Sequence, residues 1–141
     1  MAEPTGPAAP LFVRVAVAVF GVTMIVLGLW AWLAPASFAA LVDFPVHVHF
    51  LHDAGVFQIG IGVGLLAALW VHDALVVVLS GFLVANTLHA INHGIDLPLG
   101  GHVGDLPGLL GFSVLAAVAL YLRLRQLKTR TERHYPTYLH T

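Results

Sequence analysis

The stretch ALVVVLSGFLVANTLHAINH, residues 74–93, decides the class of this chain. Its first twelve residues carry one polar side chain, Ser80, and the whole run holds no proline and no Lys, Arg, Asp or Glu. About 20 predominantly apolar residues are what an α-helix needs to cross some 30 Å of hydrocarbon. The polarity changes near the end of the run, where Asn86, His89, His93 and, just beyond, Asp96 follow at spacings of three, four and three. In a helix of 3.6 residues per turn these four share one face, within an arc of about 80°. Polar groups so close to lipid are costly, and they normally face a protein interior or a water-filled cavity.

The same apolar texture recurs on both sides of this stretch. Residues 11–34 are apolar apart from Arg14 and Thr23, and further runs cover 50–70 and 106–124. Hydrophobic residues make up 59% of the 141, and charged residues only 9%. A soluble domain carries about 25% charged residues, so the deficit points to an integral membrane protein. The first run exceeds the ~7–15 residues of a signal-peptide core and lacks a basic leader, which argues for a retained helix. Trp30, Trp32 and Tyr121 fit interfacial aromatic belts. Asp73 is placed to cap the third helix, Gly94 to end it, and Asp105 with Pro107 to start the fourth. Gly60 and Gly64 form a small-xxx-small pair suited to close helix contact. A short amphipathic segment fits residues 36–42. Residues 1–10 read as a disordered lead, 11–125 as the membrane domain and 126–141 as a basic tail. The expected fold is all-α, a four-helix antiparallel membrane bundle with short loops.

Charge placement orients this bundle. All six Lys and Arg, at 14, 123, 125, 128, 130 and 133, lie toward the chain ends. With four spans, the positive-inside rule puts both termini in the cytoplasm and the loops at 35–49 and 94–104 outside the inner membrane. That outer half holds His47, His49, His52, His89, His93 and His102 with Asp43, Asp53, Asp96 and Asp105, and no Lys or Arg. A field made negative by aspartates attracts cations.

Such a constellation suggests a metal. His89 and His93, at i and i+4, are spaced to grip one ion, with Asp96 as a third ligand or as an acceptor for an imidazole N–H. A second segment, His47-Val48-His49-Phe50-Leu51-His52-Asp53, brings more imidazoles to the same membrane depth. The expected ligands are His52, His89 and His93, with Asp53 and Asp96 as ligands or supports, and with His47, His49, His102 and Asp105 as weaker candidates, the last two because a Gly-rich loop can place them anywhere. These N/O donors suit Zn²⁺, Cu²⁺, Mn²⁺ or non-haem iron. Gln58 lies two turns deeper and extends the polar path inward. The plainer alternative is that the Asn86 stripe is hydrogen-bonding glue between helices, at about 1 kcal/mol or less per residue. Haem, held by His52 and one of His89 or His93, is a further possibility, although its propionates would find no basic partner on that side.

Other chemistries are poorly served. The absence of cysteine excludes thiolate sites and disulfides. Ser80 and Ser113 stand alone, with no Gly-x-Ser-x-Gly elbow. The basic tail suits anionic lipid and topology better than nucleic acid.

The segments FLHDAGVFQIGIGVGLLAAL (50–69) and GFLVANTLHAINHGID (81–96) resemble small four-helix bacterial membrane proteins of no assigned activity. These carry His-Asp-x-Gly-x-Phe-Gln, then Asn/Ala-Thr-x-His-x-x-x-His-x-x-Asp. The layout over residues 11–125 is faintly similar to the DoxX-like group. The resemblance implies the fold and brings no activity with it. Three functions stay open at this point: a membrane metal enzyme or carrier, an accessory subunit of a larger membrane complex or homo-oligomer, and a pH-responsive element.

Overall fold

The computed structural model describes residues 8–71, 74–99 and 102–134. These residues form five α-helices and two short 3₁₀ turns, with no strand among them. The helices are α1 (Leu11–Leu33), α2 (Pro35–Leu41), α3 (Val48–Ala67), α4 (Ala74–Ile95) and α5 (Leu106–His134). All but the seven-residue α2 are long and apolar enough to cross a membrane. A helix satisfies its own backbone hydrogen bonds, which is why a lipid-soluble chain takes this form.

Local chemistry sets the boundaries. Pro35 occupies the first turn of α2, where its missing N–H costs nothing. That helix closes with the Val42 N–H on the Phe38 carbonyl and the Phe44 N–H on the Ala39 carbonyl. Asp43 takes the left-handed conformation (φ 49°) that such a close requires. His47 caps α3, its Nδ1 accepting the Phe50 N–H at 3.1 Å, so the helix begins at Val48 instead of Phe50 and ends at Ala67 instead of Trp70. Gly94 does not stop α4. Its backbone stays helical, and the Asp96 N–H closes another turn on the Asn92 carbonyl at 2.8 Å. The fourth span also outlasts the expected end near 124, continuing to His134. Arg, Gln, Leu, Lys and Glu are good helix formers, and leaving the hydrocarbon is no reason for a helix to stop. The Asp73 cap lies outside the described residues.

Packing is organised in two pairs. α1 lies against α3 along a glycine seam: a Cβ on Gly28 would meet the Gly55 carbonyl oxygen at 2.6 Å, and one on Gly62 would meet that of Gly21 at 2.6 Å. The seam runs antiparallel, residue 28 facing 55 and residue 21 facing 62. Gly60 and Gly64, the expected contact pair, have nothing within 4 Å of an added Cβ. They sit about 140° and 180° round α3 from Gly55, on the face away from α1. The second pair is α4 with α5.

Phe20 of α1 joins the two pairs. It is fully buried, stacks on Phe82 of α4 with centroids 4.6 Å apart, and tilts against Phe112 of α5 at 5.2 Å. Val13, Val17, Leu65, Leu79, Ala116 and Ala119 extend this core along the helices. At the far end from the His89–His93 pair, the Gln126 amide donates to the Ala8 carbonyl at 3.0 Å and accepts from the buried Arg123 at 2.7 Å. The start of α1 and the charged half of α5 therefore sit together.

Gly28→Leu should cost about 3 kcal/mol or more, because backbone at 2.6 Å cannot yield to a side chain. Gly60→Ala should leave stability unchanged or raise it by up to about 1 kcal/mol, since Ala is the better helix former and its Cβ meets nothing within 4 Å. Thermal unfolding in detergent, followed by size-exclusion chromatography, would separate the two outcomes.

Candidate intramembrane cavity and histidine centre

The polar stripe on α4 divides between two neighbours. Asn86 and His93 are seven residues apart, about 20° from alignment on the helix, and both turn toward α5. Asn86 is buried; its Nδ2 donates to the Leu109 carbonyl at 2.6 Å and to Ser113 Oγ at 2.9 Å. Thr87 Oγ1 adds a bond to the same Ser113 oxygen at 3.0 Å. This three-residue lock between α4 and α5 is the helix glue the spacing allows, and Ser113 is its partner.

One and two turns further on, the imidazoles begin. His89 and His93 stack one turn apart with ring centroids 4.7 Å apart and planes near perpendicular (79°). His93 Nδ1 faces Asp105 Oδ2 at 3.3 Å, an ionic approach without hydrogen-bond alignment. Asp105 comes from the 3₁₀ turn Val103–Asp105 that leads into α5. The aspartate beside the histidine pair is therefore Asp105, which the sequence reading ranked below Asp96. Asp96 falls just past the end of α4, about 80° round from Asn86, and makes no side-chain hydrogen bond or ion pair among the described residues.

His47, His49, His52 and His102 are spread over the same end. His49 Nε2 lies 3.5 Å from Asp53 Oδ2, the i, i+4 pair expected once the helix reaches back to 49. His102 Nε2 lies 3.3 Å from Asp43 Oδ2 and links the two loops at this end. His47 is occupied as the α3 cap. His52 makes no side-chain hydrogen bond or ion pair among the described residues. No group of three or more His, Asp or Glu among them is disposed to hold a metal ion. The two segments reach one end of the molecule without converging on one point.

What the α4 stripe does border is a cavity. α3 is drawn to α1 and α4 to α5, so α3 and α4 diverge, and about 620 Å³ opens between them. The walls are Met24 and Leu27 of α1, Gln58, Ile61, Gly64 and Leu65 of α3, and residues of α4 from Val78 to His89, with Leu109 of α5. Ile61, Gly64, Gly81, Ala85 and His89 are exposed in the isolated chain, so the cavity opens sideways between α3 and α4. These residues lie within candidate membrane spans. Its volume falls within the ~300–1,000 Å³ of small-molecule sites, and its lining has their character, mostly apolar with a few polar groups. Sequence spacing flagged Gln58, Asn86 and His89 but not the space they border, because that space depends on which helices part.

The chain matches no known family model, no curated protein and no solved structure.

Ser113→Ala should destabilise the protein by about 1 kcal/mol. In a double-mutant cycle with Asn86→Ala, the coupling should be about 0.6–1.7 kcal/mol, read from unfolding in detergent. Coupling near zero would show that the lock contributes nothing to holding α4 against α5.

Proposed function

We propose that this is a multi-pass protein of the bacterial inner membrane that takes a small bilayer-soluble molecule in between α3 and α4. Both termini are cytoplasmic in this reading, and the histidine-rich end lies on the extracytoplasmic side. The observation that carries it is the lateral cavity of about 620 Å³, with His89 on its wall next to the His93–Asp105 pair. An imidazole can donate or accept a hydrogen bond and can move a proton near neutral pH. A neighbouring imidazole and carboxylate give that proton somewhere to go. The reading thus covers a carrier, a sensor or an enzyme acting on the bound molecule's polar end.

A second reading, a transition-metal site, is favoured by one observation. The His89 and His93 rings lie 4.7 Å apart with Asp105 3.3 Å beyond, two imidazoles and a carboxylate along one edge of α4. Zn²⁺, Cu²⁺, Mn²⁺ or iron could draw on them after side-chain rearrangement. In that case His52, Asp53 and Asp96 would serve outside the ion's immediate ligands. Elemental analysis of the purified protein should then show metal that the His89→Ala/His93→Ala double variant loses. A role as an accessory subunit is compatible with the many exposed apolar side chains, which equally suit contact with lipid.

The cavity reading has a direct test. Gly81 lines the cavity with nothing within 4 Å of an added Cβ, so a side chain can leave the backbone there freely, and Gly81→Phe is the variant chosen to fill the space. Organic extraction and mass spectrometry should find a small molecule enriched over bulk lipid with the wild type and absent with Gly81→Phe. Identical extracts would overturn the reading. Orientation can be measured separately, since the chain has no cysteine. A cysteine introduced at Ser37 should react with an impermeant thiol reagent on intact spheroplasts, and one at Thr129 only after lysis.

A further inference from the structure

Resting on the cavity reading, we infer that the bound molecule is a neutral amphiphile with a hydroxyl head, and that Gln58 receives that head. Gln58 lies midway along α3 and lines the cavity. Its Oε1 is fully covered and has no hydrogen-bond partner. An amide left unpaired in an apolar setting is costly, and Met or Leu would line the same wall at no such cost. Asn86, the other amide on the wall, has spent its donors on Leu109 and Ser113 and keeps only its Oδ1 for a ligand. Among the described residues, Gln58 is the amide with its donors and its acceptor all unpaired.

The lining also limits the head's charge. Among the described residues no Lys, Arg, Asp or Glu borders the cavity. The titratable group on its wall, His89, lies toward the end of α4 and away from the middle of α3. A carboxylate, phosphate or ammonium head set at Gln58 would therefore find no permanent counter-charge there. A buried charge without a partner is far more costly than a neutral polar group. The head is neutral. An amide presents one acceptor and two donors, and turning it end for end exchanges which of them faces the cavity. A hydroxyl both donates and accepts, and so satisfies either orientation; an ether or a ketone only accepts. Leu27, Ile61, Leu65, Val78 and Phe82 supply the apolar surface for the rest of the molecule. The sideways mouth admits it from the hydrocarbon, where such a molecule is concentrated. His89, nearer the end of α4, lies on the same wall and is the second polar group within the bound molecule's reach.

The test uses the full-length protein in lipid nanodiscs and two photoreactive probes, a diazirine-bearing C12 alkanol and its methyl ether. Saturable labelling of peptides from α3 and α4 is expected with both probes. The alkanol should half-saturate at a roughly three- to tenfold lower concentration, as one hydrogen bond to an otherwise unpaired group implies. In Gln58→Met that preference should fall to about one while both probes still label saturably, which also reports an intact cavity. Equal affinity of the two probes in the wild type would overturn the hydroxyl assignment while leaving the cavity reading intact. A preference that persists in Gln58→Met would show that another residue reads the head and would overturn the role of Gln58. No saturable labelling by either probe, or labelling unaffected by Gly81→Phe, would overturn the cavity reading and this inference with it.

Discussion

Backbone contact between α1 and α3 is the constraint on which the rest of the structure depends. Gly28 against Gly55 and Gly21 against Gly62 let the two helices approach until one glycine's missing Cβ is the other's carbonyl space. Lipid offers no hydrophobic drive for helices to associate, so dense packing of this kind carries much of the association energy. It also decides what α3 cannot do. A helix committed to α1 along its length is unavailable to α4, its neighbour in sequence. The gap this leaves is the cavity.

The α4–α5 pair is held by different means. Its seam has the Asn86–Ser113–Thr87 hydrogen bonds and, next to them, Phe82 stacked on Phe20 with Phe112 tilted against it. One helix thus presents two polar faces. Asn86 and His93 turn to α5, while His89, about 60° round from Asn86, turns to the open side. A stripe that reads as a single feature along the chain serves cohesion on one edge and the cavity on the other. That division makes His89 the residue where packing and chemistry meet, since its ring touches His93 and its position borders the cavity.

The site was legible in part. Helical spacing put His89 and His93 one turn apart on one face, and His49 with Asp53 as a pair, because both relations are local to one helix. It ranked Asp96 above Asp105 because Asp96 is close in sequence. The carboxylate that reaches His93 comes instead from the turn before α5, where a glycine-rich loop hides its destination from any spacing rule. The small-residue pattern failed for a related reason. Gly60 and Gly64 have the familiar spacing, but contact depends on which face meets a partner, and Gly55 and Gly62 occupy that face. His47, a weaker ligand candidate from spacing, caps α3, since the helix begins where its ring can take an N–H.

Local energetics settled the class and the spans. Long apolar runs without proline must hydrogen-bond internally, so four long helices and their approximate limits follow from the residues alone. The same runs carry too little periodicity to say which face each helix presents. In lipid all faces of such a helix are nearly equivalent in transfer energy, and only fit against a neighbour distinguishes them. Tertiary structure therefore decided the pairing of α1 with α3 and of α4 with α5, the placing of Asp105 beside His93, and the cavity between α3 and α4. Each of these depends on shape at a contact between segments distant in the chain, and a one-dimensional pattern contains no term for it.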